Sequence, residues 1–556
     1  MKRNLITALL IGGLITSSLT SCKRNLVLTP NYEVTSAQVY SSPATIKEAL
    51  AKVYGSFALT GNEGPAGSPD IDGIDEGTSD FFRLFWYAEE LPTDEAVIAW
   101  GDPGVPDFHA MNWSSSNVNL LGLYDRSLYQ ITLVNEFLIQ TTDAQLAKNG
   151  ITGSDLTNVH YYRAEARFLR AFQYWVLMDL FANPPFVTDA SPVGSIVPPQ
   201  TTRAALFTYV ESELKAIDPL LVAPMKNEYG RVDEAADWAL LARLYLNAQV
   251  YTGTAPTASS TGTPGASRFT DAITYAGKVI SAGYSLNSSY DNLFLADNNT
   301  NGAQKENIFV IDYDGNSTQG YGGTTFMTHA AVGGSMPSSS YGISGGWAGI
   351  RTTSSITSLF PKPPTQNTTN FPDNNNPDTR AEFWYDGQST TISSITSFTD
   401  GIAVNKWRDV TSTGAQGSNP SYSDVDEPLF RLPEMYLIYA ESVLRGGTGD
   451  MGIATGYINQ LRDRAYGNTT GEITQAQLTL NFVLDERARE LYWEGFRRTD
   501  LIRYGFFTAV TSDPHSTWPF KGGATNGTGV SDFRVIYPIP DQDRAANPNL
   551  KQNFGY

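Results

Sequence analysis

Residues 481–505 read NFVLDERARELYWEGFRRTDLIRYG. Leu484, Ala488, Leu491 and Tyr492 recur at helical spacing, with charges between almost all of them. Acids come early (Asp485, Glu486, Glu490) and bases late (Arg497, Arg498, Arg503), the order that the helix dipole favours. Asp485 and Arg489, and Glu494 and Arg498, stand four apart and are spaced to pair along one face. Upstream, Thr474-x-x-Gln477 fits a capping box for a short preceding helix. Gly495 predicts a bend and Gly505 a stop. Trp493 and Phe496 on the same run imply that these charges form a partly buried ion-pair network against which the chain packs. Glycosidase chemistry needs two carboxylates flanking a cleft. Glu486, Glu490 and Glu494 each have an arginine three or four residues away, which keeps a carboxylate ionised and points to a structural role.

Outward from this stretch, apolar residues step by three or four over 120–138, 162–180, 207–221, 235–245, 432–443 and 453–465. The second run stops at Asn183-Pro184-Pro185. Small Ala239 and Ala242 permit close helix approach. Short connections imply antiparallel helix pairs, as in a solenoid, although no clean 34-residue period is present. Arg163, Arg167 and Arg170 form a basic line, expected to pair with acids of a neighbouring helix such as those at 486–494.

Two regions do not read as framework. Residues 61–113 open with GNEGPAGSPDIDGIDEG and carry the aromatic cluster Phe81, Phe82, Phe85, Trp86 and Tyr87. Residues 284–426 are rich in Gly, Ser, Thr and Asn, with IFVIDY at 308–313 as a strand. Residues 252–267 read as a mobile Gly/Thr/Ser excursion. Long irregular segments of this kind are usually functional.

At the N-terminus, Lys2 and Arg3 precede a short, interrupted apolar run, and Leu19-Thr20-Ser21-Cys22 reads as a lipobox. The apolar run is too short to span a bilayer comfortably, so residues 1–21 are expected to be a signal peptide and Cys22 a lipid anchor. Cys22 is the only cysteine, which excludes an internal disulfide. A net charge of −19 makes nucleic acid a poor partner and gives no attraction to an anionic membrane surface. Aromatics at 12% and charges at 17% supply ample core for a globular chain. Length alone suggests three or four domains, which a repeated helical framework reduces to one.

The catalytic inventory is thin. His109, His160, His329 and His515 are isolated, without HExxH or Cys/His metal spacing. Gly342-Ile343-Ser344-Gly345-Gly346 matches G-x-S-x-G but lacks the preceding apolar strand of a nucleophile elbow. Asp70, Asp72 and Asp75 are weak calcium candidates because Ile74 fills a ligand position, and Asp373-Asn374-Asn375-Asn376 is no stronger. No cofactor is expected. A recognition surface remains: Trp or Tyr rings to stack on sugar C–H faces, with Asp, Asn or Arg to exchange hydrogen bonds. The irregular regions hold Asp80, Asp94, Glu95 and Trp100 in one, and Tyr321, Tyr341, Trp347 and Arg351 in the other.

ERARELYWEGFRRTDLIRYG and VIYPIPDQDRAANPNLKQNFGY (535–556) closely resemble the SusD/RagB family of Bacteroidetes surface lipoproteins, as do AEARFLRAFQYWVLMDLF (164–181), ALLARLYLNAQVY (239–251) and LFRLPEMYLIYAESVL (429–444). The resemblance implies a mainly α fold: tetratricopeptide-like helix pairs in a superhelical framework (about 30–283 and 427–510), an irregular insertion (about 284–426) and a C-terminal tail (511–556). It also implies a glycan-binding outer-membrane protein that faces the cell exterior. Such a protein delivers oligosaccharides to a SusC-like TonB-dependent β-barrel and is not an enzyme. Peptide capture, as in the RagB branch, is the alternative, and a surface glycosidase a more remote one.

Overall fold

The computed structural model describes residues 36–556, apart from 63, 66, 192–196, 258–261 and 363–375. Cys22 and the lipobox, and residues 373–375 of the second calcium candidate, lie outside the described residues. Seven helices matter in the first half: α1 (Pro43–Gly55), α2 (Phe81–Glu90), α3 (Val118–Gln140), α4 (Gly153–Leu180), α5 (Arg203–Ile217), α6 (Glu234–Leu246) and α7 (Phe269–Ile280). Helix α8 (Gly323–Ala330) lies in the irregular region, and α9 (Leu432–Leu444), α10 (Met451–Tyr466), α11 (Leu480–Leu491) and α12 (Arg497–Tyr504) follow it. The fold is mainly α and built of helix pairs: α3 packs on α4, α4 on α5, α6 on α7, and α9 on α10. Side chains start these helices where the sequence changes from loop to stripe. Asn117 accepts the first free N–H groups of α3, Thr202 that of α5, and Asp233 those of α6. Ala239 and Ala242 of α6 are fully buried, as are Ala272 and Ala276 of α7, so the two backbones approach closely. Helix α7 also packs on α9 although the whole irregular region separates them in sequence.

Strands are short and form three antiparallel pairs. β1 (Val97–Ile98) pairs with β3 (Ile350–Arg351), β2 (Asn307–Ile311) with β6 (Glu427–Arg431), and β4 (Phe383–Ser389) with β5 (Gly401–Val404). β2 is the expected IFVIDY strand.

The deciding stretch is two helices rather than one bent helix. α11 ends at Leu491, Trp493 and Gly495 take left-handed φ of 66° and 79°, and α12 then runs to a left-handed cap at Gly505. Residue 495 must be glycine: a Cβ there would lie 2.7 Å from the Phe85 ring. The break is held from α2 and the loop after it. Glu90 accepts the N–H groups of Gly495 and Phe496 at 2.7 and 3.1 Å, and Glu95 that of Trp493 at 2.8 Å. Trp86 donates its indole N–H to the Trp493 carbonyl at 3.0 Å. Helix α2 is therefore a centre of the fold, with all ten residues buried, and not part of an irregular region.

The buried ion-pair network exists, but its partners are distant in sequence. Arg431 reaches Glu490 and Glu494 at 2.5 and 2.6 Å, Arg380 reaches Glu486 at 2.8 Å, and Lys406 reaches Glu494 at 2.6 Å. The expected i,i+4 pairs do not form. Arg489 turns to Glu486, Asp485 accepts from His515, and Arg498 reaches Glu89 and Asp179. A buried charge needs several partners, and one local pair supplies too few. Burial works against the Glu490 charge, but Arg464, Arg431 and Arg380 outweigh it and hold the carboxyl at about 2. Arginines likewise hold Glu486 below the ordinary range against burial. An acid held ionised this firmly has no proton to give a glycosidic oxygen. The basic line of α4 finds a different partner from the one expected. Arg167 and Arg170 bond Glu213 of α5 at 2.8 and 2.9 Å, while Arg163 donates to Leu138 and Thr141.

Candidate functional site

Five of the eight sequence-derived site residues lie inside, occupied by the scaffold. Asp80 caps α2 and ties it to α8, accepting the N–H groups of Arg83 at 3.1 Å and Gly323 at 2.8 Å. Burial pushes its carboxyl up to about 6. Asp94 takes a bidentate pair from Arg497, both bonds 2.6 Å. Glu95 holds the Trp493 N–H, as above. Tyr341 donates to Asn405 at 2.6 Å. Arg351 gives its guanidinium to the carbonyls of Gly349, Asp400 and Ile395 at 3.1, 2.9 and 2.8 Å. All five, expected as ligand groups, are buried here and bond the scaffold instead of facing a surface. Irregular backbone leaves N–H and C=O groups without ladder partners, and buried polar side chains satisfy them.

The other three meet. β1 and β3 align Val97 with Arg351 and Ile98 with Ile350, and the pairing continues through Ala99 N–H to the Gly349 carbonyl at 2.8 Å. Trp100 and Trp347 thus leave the same ladder end, ring centroids 6.4 Å apart and planes at 45°. The Trp100 indole N–H donates to the Trp347 carbonyl at 3.3 Å. A Cβ at Gly349 would come within 2.5 Å of the Trp100 ring, so glycine is what lets that ring lie flat on the loop. Tyr321 follows at 6.3 Å and 69° from Trp347, and Tyr422 at 6.1 Å and 40° from Tyr321. Tyr321 is 40% exposed, and Trp100, Trp347 and Tyr422 are half-buried, so the rings are accessible yet fixed.

Beneath Trp347 lies His329, stacked at 4.7 Å and 24°. Its Nδ1 sits 2.7 Å from the Gly345 carbonyl, which can only accept, so Nδ1 carries the hydrogen. Burial lowers the His329 pKa and favours the neutral ring.

Arg83 was not singled out by the sequence, although it is the lone charge inside the aromatic run at 81–87. It is 7% exposed. Nε donates to the Tyr87 hydroxyl at 3.1 Å and Nη1 to the Tyr321 carbonyl at 2.9 Å. Its guanidinium lies 5.5 Å from the Trp100 ring centre and 5.0 Å from that of Phe326. Among the described residues it pairs with no carboxylate, unlike Arg380, Arg431, Arg497 and Arg498. The surface is therefore an arc of rings from three chain segments with a buried cation beneath it. Rings tilted by 45° and 69° cannot share a plane, so a chain lying on all of them must turn.

The other motifs do not assemble a centre. Asp70 pairs with Arg126 at 2.5 Å, and Asp75 accepts from the N–H and hydroxyl of Thr78, both at 2.8 Å. Among the described residues no three His, Cys, Asp or Glu side chains are grouped to hold a metal. Ser344 follows a single 3-10 turn (Ser338–Tyr341) and no helix comes directly after it, so the strand–turn–helix of a nucleophile elbow is not there.

A family model described as the SusD family matches residues 305–556. Over an alignment of 593 residues the chain is 36% identical to the starch-binding protein SusD of Bacteroides thetaiotaomicron, covering 100% of this chain and 99% of that one. Among solved structures, surface glycan-binding protein A from Bacteroides fluxus aligns over 93% of this chain and 100% of its own, with a TM-score of 0.67 and 19% identity. The Bacteroides thetaiotaomicron protein of that name, solved in complex with laminarihexaose, aligns over 92% and 99%, with a TM-score of 0.64 and 21% identity. The last two share the fold, while the first shares more than a third of its sequence along its whole length, and on that ground the chain belongs to the SusD family.

Proposed function

We propose that this protein captures glycan chains at the cell surface on the arc of Trp100, Trp347 and Tyr321, and binds them without cleaving them. One observation carries the reading: three accessible rings from distant segments, mutually tilted and fixed from below. Pyranose rings offer apolar faces for such platforms and hydroxyls for Arg83. The turn that the arc demands suits a glucan whose linkage makes it curve, as α-1,4 linkage does, and the likeness to a starch-binding protein favours the same class. Calorimetry with a linear maltoheptaose on the purified chain tests this. Binding that weakens on Trp347→Ala, with the oligosaccharide recovered at unchanged length, is expected. Wild-type affinity in a folded Trp347→Ala protein would overturn it.

The same reading includes lipid attachment at Cys22 and delivery of the glycan to a TonB-dependent β-barrel. Among the described residues no helix is long and apolar enough to cross a membrane. Palmitate labelling should be lost in Cys22→Ala. A barrel protein should co-purify from gently solubilised membranes, and its absence after crosslinking would remove delivery from the reading.

A further inference from the structure

Beside the arc, between the 73–79 loop and the start of α3, lies a cavity of about 410 Å³. That is within the range of about 300–1,000 Å³ typical of small-molecule sites. Arg83 belongs to both features, touching the Trp100 ring on one side and lining the cavity on the other. Asp102, two residues after Trp100, also lines it and is exposed, and its carboxylate has no hydrogen-bond partner among the described residues. Tyr87 completes the polar end. Its hydroxyl accepts from Arg83 Nε and keeps its own hydrogen to donate. Ile74, Val105 and Leu121 supply apolar wall.

The geometry points to this cavity as a side subsite for a branch sugar of the glucan that lies on the arc. The inference rests on the arc reading above. The main chain has its own path, from Trp100 over Trp347 and Tyr321 towards Tyr422, so the cavity is not needed for a linear chain. A sugar hydroxyl both donates and accepts. Neighbouring hydroxyls can therefore take a hydrogen bond from the guanidinium, which is more than nine-tenths buried, and give one to Asp102. The C–H face of the same ring would lie on the apolar wall. Two charges of opposite sign that do not pair with one another are then matched through the ligand.

Two probes separate the possibilities: a linear maltoheptaose, and the same oligosaccharide bearing one α-1,6-linked glucose branch. The wild-type chain should bind the branched probe roughly tenfold more tightly, a difference that calorimetry resolves. Val118 lines the cavity and is 53% exposed at the first turn of α3, so Val118→Trp fills the space without disturbing the core. In Val118→Trp the branched probe should fall to the affinity of the linear one, which stays as in wild type. Thr78→Trp, at an exposed residue of the opposite wall, should do the same. Equal binding of both probes by the wild type, or a preference that survives in both variants, would overturn the side subsite and leave the arc standing. Failure of both probes to bind would overturn the arc, and the branch with it.

Discussion

A tryptophan ring laid on a sugar removes one apolar face from water on each partner. Replacing Trp100 or Trp347 by alanine should cost about 1–2 kcal/mol of binding, the size of an ordinary hot spot, and thus on the order of a tenfold loss. The melting temperature should change little, since both rings are only half-buried. Gly349→Ala makes a sharper test because that residue need never touch a ligand. Its new Cβ would meet the Trp100 ring at 2.5 Å and displace it. Calorimetry should then show a loss comparable with Trp100→Ala, and unchanged affinity would mean that the ring's position is unimportant. That Trp100, Trp347 and Tyr321 stay partly accessible could be read in the sequence, because bulky rings among glycines have few neighbours to bury them. Asp80, Asp94, Glu95, Tyr341 and Arg351 could not be told apart from ligand groups, since which carbonyls and N–H groups lack partners is settled only in three dimensions. Arg83 was missed because nothing in its spacing marks the one charge of the aromatic run at 81–87 as a binding group.

At the scale of elements, the interruption between α11 and α12 is the informative one. Periodicity gives one bent helix over this stretch, and Gly505 its cap. It does not give the break, because Glu95, which holds the Trp493 N–H, lies 398 residues away. Burial pushes the Glu90 carboxyl up, and the neighbouring Glu95 pushes it further, which favours the protonated acid. Glu90→Gln keeps the oxygen that accepts from Gly495 and Phe496, and should cost under about 1 kcal/mol. Glu90→Ala strands two buried N–H groups and should cost about 2–6 kcal/mol, at about 1–3 for each. Urea denaturation of the two variants distinguishes them, and equal losses would show that hydrogen bonding at the break is not what holds it.

For the whole molecule, the buried network sets the response to pH. Glu490 is held at about 2, and so is Glu441, where Arg503 and Arg445 outweigh the effect of burial. Both values lie below the ordinary 4.5. The unfolded chain therefore binds more protons between those limits, and the contribution present above pH 4.5 is lost as pH falls through about 2. Asp409 has the opposite sign. Burial pushes it up to about 7, so its contribution is complete below 3.8 and lost as pH rises through about 7. Melting temperatures should peak in the mildly acidic range and drop steeply below pH 4.5. Glu490→Gln should lower stability at neutral pH by about 3–5 kcal/mol, because it leaves buried arginines short of a partner, and should flatten the acid limb. An acid limb as steep as in wild type would place the titration elsewhere.

Trp100 and Trp347 are 247 residues apart, and a two-residue ladder brings them together. Closing so long a loop is slow, and entropy opposes it until the rest of the chain holds the ends. A nascent chain that has emerged only as far as α7 already carries Trp100 but neither of its companion rings. On the proposed reading, full glycan affinity needs all three rings in place and would report that a molecule has been finished.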